Sequence, residues 1–218
     1  MTSTLPLADT RDMKGLHNVF REALDAATQL IGTAADGDTR RAEYVGTYYD
    51  NVLRLLHGHH EGEDELLTPK LAERCTAAEA AEVRRIAGQH DGVLGDLAAA
   101  EAAVASWRAQ PETDQRNAAV AALRQLQDSL AAHLAEEESV VLPIAARHIN
   151  VAEWGELPAH GMRTFTGDKL WLIIGLVQEQ MPAPAIVNME AHMPPPVLEF
   201  WQSTGKRMFS DYIAVLRP

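Results

Sequence analysis

Two stretches of this chain carry the same arrangement of residues, and that repeat constrains the fold more than anything else in the 218 residues. The first reads His59-His60-Glu61-Gly62-Glu63-Asp64-Glu65-Leu66-Leu67-Thr68-Pro69, the second His133-Leu134-Ala135-Glu136-Glu137-Glu138-Ser139-Val140-Val141-Leu142-Pro143. Each has a histidine, a glutamate four residues on and a proline six residues after the glutamate. A further histidine precedes each copy at nearly the same distance: His17 stands 42 residues before His59, and His90 stands 43 before His133. The chain reads as two copies of one helical hairpin, with equivalent polar residues set into otherwise apolar stripes.

Apolar residues recurring every three or four positions predict four long helices in residues 1–150. The first carries Met13, Leu16, Phe20, Leu24, Ala27 and Ile31. The second starts at the N-cap Asp38, carries Val45, Tyr48, Val52, Leu55, His59 and Leu66, and is broken or kinked at Pro69. The third opens on the capping box Thr76–Glu79, runs through Val83, Ile86, His90, Leu94, Leu97 and Val104, and stops before Pro111. The fourth runs from about Asp114 through Leu123, Leu130, His133 and Val140 to Pro143. Short connections make these an all-α, up-down-up-down four-helix bundle. Residues 151–218 read as a helical, Pro-rich C-terminal extension, with helices at 151–156, 167–180 and 196–214 and an extended link through the prolines. It is expected to pack on the bundle or against a second subunit, giving a route to a homo-oligomer.

Residues four apart share a helix face. His59 with Glu63, and His133 with Glu137, can therefore aim an imidazole and a carboxylate at one point, where His17 and His90 join them from the other two helices. Four histidines and two glutamates converging in a bundle core make a metal site. Imidazole and carboxylate suit Fe, Mn, Zn or Ni, and no cysteine stands among them. A rival register exists, because His57–Glu61 and His60–Asp64 are also four apart; only His59–Glu63 keeps the distance to proline found in the second copy. On this reading His57 is exposed, and His60 lies behind the ligands or adds a weak extra one. Glu138 is an alternative to Glu137, and Glu61, Asp64, Glu136 and Glu138 stand ready to orient ligands. Tyr48 shares the face of His59 but lies about 16 Å along the axis and belongs to the core. His148, His160 and His192 have no partner at ligand spacing, and nothing near Cys75 marks it as a nucleophile. Without cations these buried groups would be poorly paired, so stability should depend on metal.

Composition removes other function classes. Nineteen Lys and Arg against thirty-one Asp and Glu give a net charge of −12, which argues against nucleic acid or an anionic membrane surface as partner. The longest apolar run, Leu170–Val177, is too short to span a bilayer. One cysteine and no apolar leader lead to the expectation of a cytoplasmic protein. The Glu-x-x-His spacing of ferritin-type iron sites is missing at all nine histidines.

The units His17…His59-x-x-x-Glu63 and His90…His133-x-x-x-Glu137 resemble the two halves of the hemerythrin-like, or HHE cation-binding, domain family over about residues 12–148. The resemblance implies a non-haem centre of two Fe ions with an oxo or hydroxo bridge, Glu63 and Glu137 bridging and the four histidines terminal; Zn or Mn are alternative occupants. The oxygen-carrying members have a fifth histidine, four residues along the third helix, where this chain has Leu94. That departure turns the expectation from simple carriage of O2 towards oxidoreductase chemistry on O2 or peroxide, of the oxidative-stress type. The alternatives are a sensor or carrier that binds O2, NO or iron without turnover, and a metal-stabilised structural bundle.

Overall fold

A computed structural model describes residues 5–217, and among them every regular element is helical. The ligand-bearing repeats fall on two long, nearly matching rods. One comprises α1 (Arg11–Asp25) and, after the short α2 (Ala27–Leu30), α3 (Thr39–Gly62), whose N-terminus is capped by Asp38 accepting from the Arg41 amide. A π-helical turn, Glu63–Leu67, joins α3 to α4 (Thr68–Arg74). The second copy comprises α5 (Ala77–Ala87), α6 (His90–Ala109) and α7 (Thr113–Glu136), with a second π-helical turn, Glu137–Val141, leading into α8 (Leu142–His148). α6 packs along α7 and α3, and α1 packs along α7 and α3, so the four long helices enclose one core. Tyr48, Tyr49, Phe20, Trp107, Leu97, Leu123 and Leu126 fill it. At the far end from the repeats, Gly37 takes φ 76°, a left-handed turn that lets its amide donate to the Pro111 carbonyl and ties the two inter-helix loops together.

Three sequence-based boundaries need correction. Neither Pro69 nor Pro143 ends its helix. Proline lacks an N–H and its ring collides with the carbonyl four residues back, and in both copies the helix has already widened: Thr68 donates to Glu63 and Leu142 to Glu137, each five residues back. The proline then falls in the first turn of α4 or α8, where its missing donor has no cost. The predicted third helix is two, α5 and α6, divided at Gly88–Gln89, where the Gln89 amide closes a tight turn on Ile86.

The third correction concerns the extension. It forms α9 (Val151–Trp154), α10 (Glu156–Thr164), α11 (Leu170–Glu179), α12 (Ala183–His192), α13 (Pro195–Phe200) and, after a π-helical turn at Trp201–Gly205, α14 (Lys206–Leu216). The prolines do not mark an extended link: Pro182 and Pro194 cap helices and Pro184 sits in the first turn of α12, positions that tolerate them. α11 and α14 complete the bundle core through Leu172, Ile173, Leu176, Tyr212 and Leu216. Tyr44 and Tyr212 stack and each donates its hydroxyl to the other's carbonyl. Asn51, fully buried, accepts from the Lys169 amide and donates to Asp168, fixing the start of α11. Gly175 is required here: a Cβ on it would lie 2.2 Å from the Phe209 ring. Gly175→Ala is expected to destabilise the chain by about 1–3 kcal/mol, read as a lowered melting temperature.

Candidate metal centre

The i,i+4 spacing of each repeat sets an imidazole above a carboxylate on the inward face of its helix. His17, His59, His90, His133, Glu63 and Glu137 are all buried in the bundle, and the structure brings all six together. His60 joins them as a seventh. The ligand atoms form two groups, each within 4.8 Å: His60, Glu63, His90 and His133, and His17, His59, Glu63 and Glu137.

Adjacent residues on a helix point about 100° apart, and the two consecutive histidines use that angle to face opposite halves of the site. The His59 ring lies 5.2 Å from His17 and 5.5 Å from Phe20, whereas the His60 ring stacks on His90 at 4.4 Å and meets His133 at 5.1 Å. His60 thus stands beside His90 in the half of the site where position 94 offers only a half-buried leucine. The consecutive His-His pair was the signal for it. Assigning one register to each helix obscured it, because a helix lying between two sites can present two neighbouring side chains. His57 is exposed, as expected.

The carboxylates lie between the halves. Glu63 turns Oε1 towards His59 Nε2 and Oε2 towards His90 Nε2, each at 3.6 Å, so its two oxygens face histidines of different groups. Glu137 Oε2 lies 3.3 Å from His17 Nε2 and 3.7 Å from His133 Nε2. These nitrogens and oxygens are not hydrogen-bonded to one another. The Nε2 atoms of His17, His59 and His133, both nitrogens of His60, Glu63 Oε1 and both Glu137 oxygens are buried without a partner. Such groups cost roughly 1–3 kcal/mol each when left unsatisfied. A cation bonded to nitrogen and oxygen at about 2 Å would satisfy them together, since its ligands stand about 3 Å apart. The donor set therefore fits metal ions.

The outer nitrogens explain why the inner ones are free. His17 Nδ1 donates to Glu138 at 2.9 Å, His90 Nδ1 to Asp64 at 2.9 Å and His133 Nδ1 to Gln89 at 3.1 Å. A proton held on Nδ1 leaves the Nε2 lone pair directed inward. Glu138 is held by His17 and then Arg21, which lower its pKa to about 2 and keep it a carboxylate. Gln89, absent from the sequence-based set, is placed by the break before α6 and donates in turn to Glu136, itself paired with Arg85. Glu61 faces away from the centre, towards His160. Glu138→Ala is expected to weaken metal retention by about 10–100-fold, measured by competition with a chelator.

Electrostatics mark the cluster as built for cations. Burial, then the neighbouring Glu137 carboxylate, pushes the Glu63 pKa well above the usual carboxylate range. Burial, then the surrounding imidazoles, pulls His59 and His60 well below the ordinary histidine value, and burial followed by His90 and His17 takes His133 to about 3. Beside the cluster, Leu67, Val83, Ile86 and Val141 wall a cavity of about 10 Å³ that reaches Glu63, His90, His133 and Glu137.

Three remaining histidines stand apart. His192 is exposed on α12, His160 is buried between Glu61 and Glu65, and His148 lies near Cys75 and Glu79. Among the described residues no helix is long and apolar enough to cross a membrane. No curated protein and no solved structure matches the chain. The sequence model of one family, described as the hemerythrin HHE cation binding domain, matches residues 8–145.

Proposed function

Because the chain belongs to the hemerythrin HHE cation-binding domain family, we propose that it is a non-haem di-iron protein acting as an oxidoreductase on O2 or peroxide. Residues 1–150 are its up-down-up-down metal-binding bundle, and residues 151–218 are an extension packed on it. One iron would be held by His60, His90 and His133 and the other by His17 and His59, with the carboxylates of Glu63 and Glu137 standing between the two groups. The observation that carries this reading is the Glu63 carboxylate, whose two oxygens face histidines of opposite groups at equal distance. Bound iron would supply electrons and open coordination positions for a small oxidant.

The chain's own residues decide what reaches that position. The cavity of about 10 Å³ has room for about one water-sized molecule, a size that suits a small ligand such as O2, peroxide or NO. Leu67, Val83, Ile86 and Val141 give it an apolar wall. The cavity opens on His90 and His133, so a small ligand would meet the His60–His90–His133 side of the site.

A second reading, a sensor of O2, NO or iron, is favoured by the seat of α10: His160 lies 3.9 Å from Glu61 and 3.8 Å from Glu65, on the outer face of the helix that carries Glu63. Metal analysis together with peroxide decay separates the readings. Two irons per chain and sustained peroxide consumption support the oxidoreductase. Two irons with reversible ligand binding and no consumption support the sensor, and a chain that retains no iron overturns both.

A further inference from the structure

A second cluster of metal-ligating side chains lies outside the centre. Cys75 follows α4 in extended conformation, Glu79 sits in the first turn of α5, and His148 ends α8. One ligand atom from each lies within 4.8 Å of the others, and all three residues are partly buried. We propose that Cys75, Glu79 and His148 form a mononuclear site for a borderline divalent cation of the Zn2+ class, with water completing the shell.

Thiolate, imidazole and carboxylate together select this class: hard cations such as Mg2+ and Ca2+ take oxygen ligands, whereas three mixed S, N and O donors with one open position suit Zn2+. The sulfur and the ring are uncommitted. Among the described residues neither the Cys75 thiol nor either ring nitrogen of His148 makes a hydrogen bond, and His148 Nε2 stands 4.0 Å from Glu79 Oε2, too far for one and close enough for a shared cation. The carboxylate is already oriented. Thr76 donates its amide and hydroxyl to Glu79 Oε2 in the capping box, and Arg147 holds Oε1 at 2.5 Å. Ligating carboxylates are commonly fixed by such outer hydrogen bonds, which spare the cation the cost of ordering them. Thiolate and carboxylate bring two negative charges to the dication, and Arg147 stays paired with Glu79 Oε1, leaving Oε2 to face the cation.

The site would join α4, α5 and α8 at one point. α5 supplies Val83 and Ile86 to the wall of the cavity beside the centre, its far end closes in the turn at Gly88–Gln89, and Cys75–Thr76 is the link at its near end. A cation there pins the near end of that wall to α4 and α8.

Cys75 is the sole cysteine, so a thiolate-to-cobalt charge-transfer band that appears in the near-ultraviolet difference spectrum on adding Co2+, and is missing in Cys75→Ser, reports this site separately from the absorption of the iron centre. Adding Co2+ to the full iron-loaded chain is expected to produce that band, and adding Zn2+ to remove it. Zn2+ should also slow alkylation of Cys75 by roughly tenfold or more, since a metal-bound thiolate is a poorer nucleophile than a free one. His148→Ala, which removes no side-chain hydrogen bond, abolishes both effects while leaving the iron content unchanged. The proposal is overturned if Co2+ gives no thiolate band, if the band survives in His148→Ala, or if alkylation is indifferent to Zn2+.

Discussion

Glu63→Ala is expected to purify without either of the two proposed irons, and His17→Ala to lose one and keep the other; elemental analysis of metal per chain is the measurement. The difference follows from where the two side chains stand. His17 belongs to one group of ligand atoms, and Glu63 to both. Its loss leaves His60, His90 and His133 on one side and His17 and His59 on the other, with Glu137 alone between them and no carboxylate facing both His59 and His90. The stability of the metal-free forms should run the other way. Burial and Glu137 disfavour the charge on Glu63, so metal-free Glu63→Ala should melt no lower than the metal-free parent. Retention of a full metal pair by Glu63→Ala would show that the carboxylate bridges nothing.

Chelation of the metal-loaded chain is expected to lower the melting temperature by on the order of 10 °C, because binding at a thousandfold excess over Kd stabilises by about 4 kcal/mol and a chain of this size shifts by about 2–4 °C per kcal/mol. The size of the drop depends on pH in a stated direction. Glu63 has a raised pKa in the metal-free fold, so its contribution is present below the ordinary carboxylate range and is lost as pH rises through its folded value. His133 is depressed to about 3, so its contribution is present above the ordinary imidazole value and is lost as pH falls towards 3. Metal requires Glu63 ionised and the imidazoles neutral. Loading therefore takes a proton from Glu63 wherever that carboxyl is protonated in the metal-free fold, and little from His59, His60 or His133 near neutral pH, so the gap between loaded and metal-free melting temperatures should widen as pH rises through the folded pKa of Glu63. Calorimetry in buffers of different ionisation enthalpy reads the released proton directly; a gap that narrows with rising pH would contradict the assignment of Glu63.

Much of this centre was legible in the sequence because helical periodicity turns a spacing of four into a shared face. His59 with Glu63 and His133 with Glu137 needed nothing more, and the matching distances back to His17 and His90 supplied the other two helices. His60 was obscured because its neighbour already satisfied the pattern, and only the position of α3 between α1 and α6 shows that both can point inward. Gln89 depended on the turn at Gly88, a break that the long apolar stripe from Val83 to Val104 concealed. In the extension the proline cluster reads as an interruption, whereas Pro182, Pro184 and Pro194–Pro196 stand where helices begin. Local chemistry fixes what a proline forbids, and the tertiary path decides whether the forbidden position is ever needed.

The widened turns after Glu63 and Glu137 make each of those five-residue segments intolerant of insertion and deletion. Removing one residue would restore an ordinary helix and drive the proline ring into the carbonyl four residues back; adding one would swing Leu71 or Ile144 away from its apolar neighbours. Chain length between the acid and the proline is thus held as tightly as the identity of either, and a comparison that tolerates gaps there would misalign the domain at its most informative point.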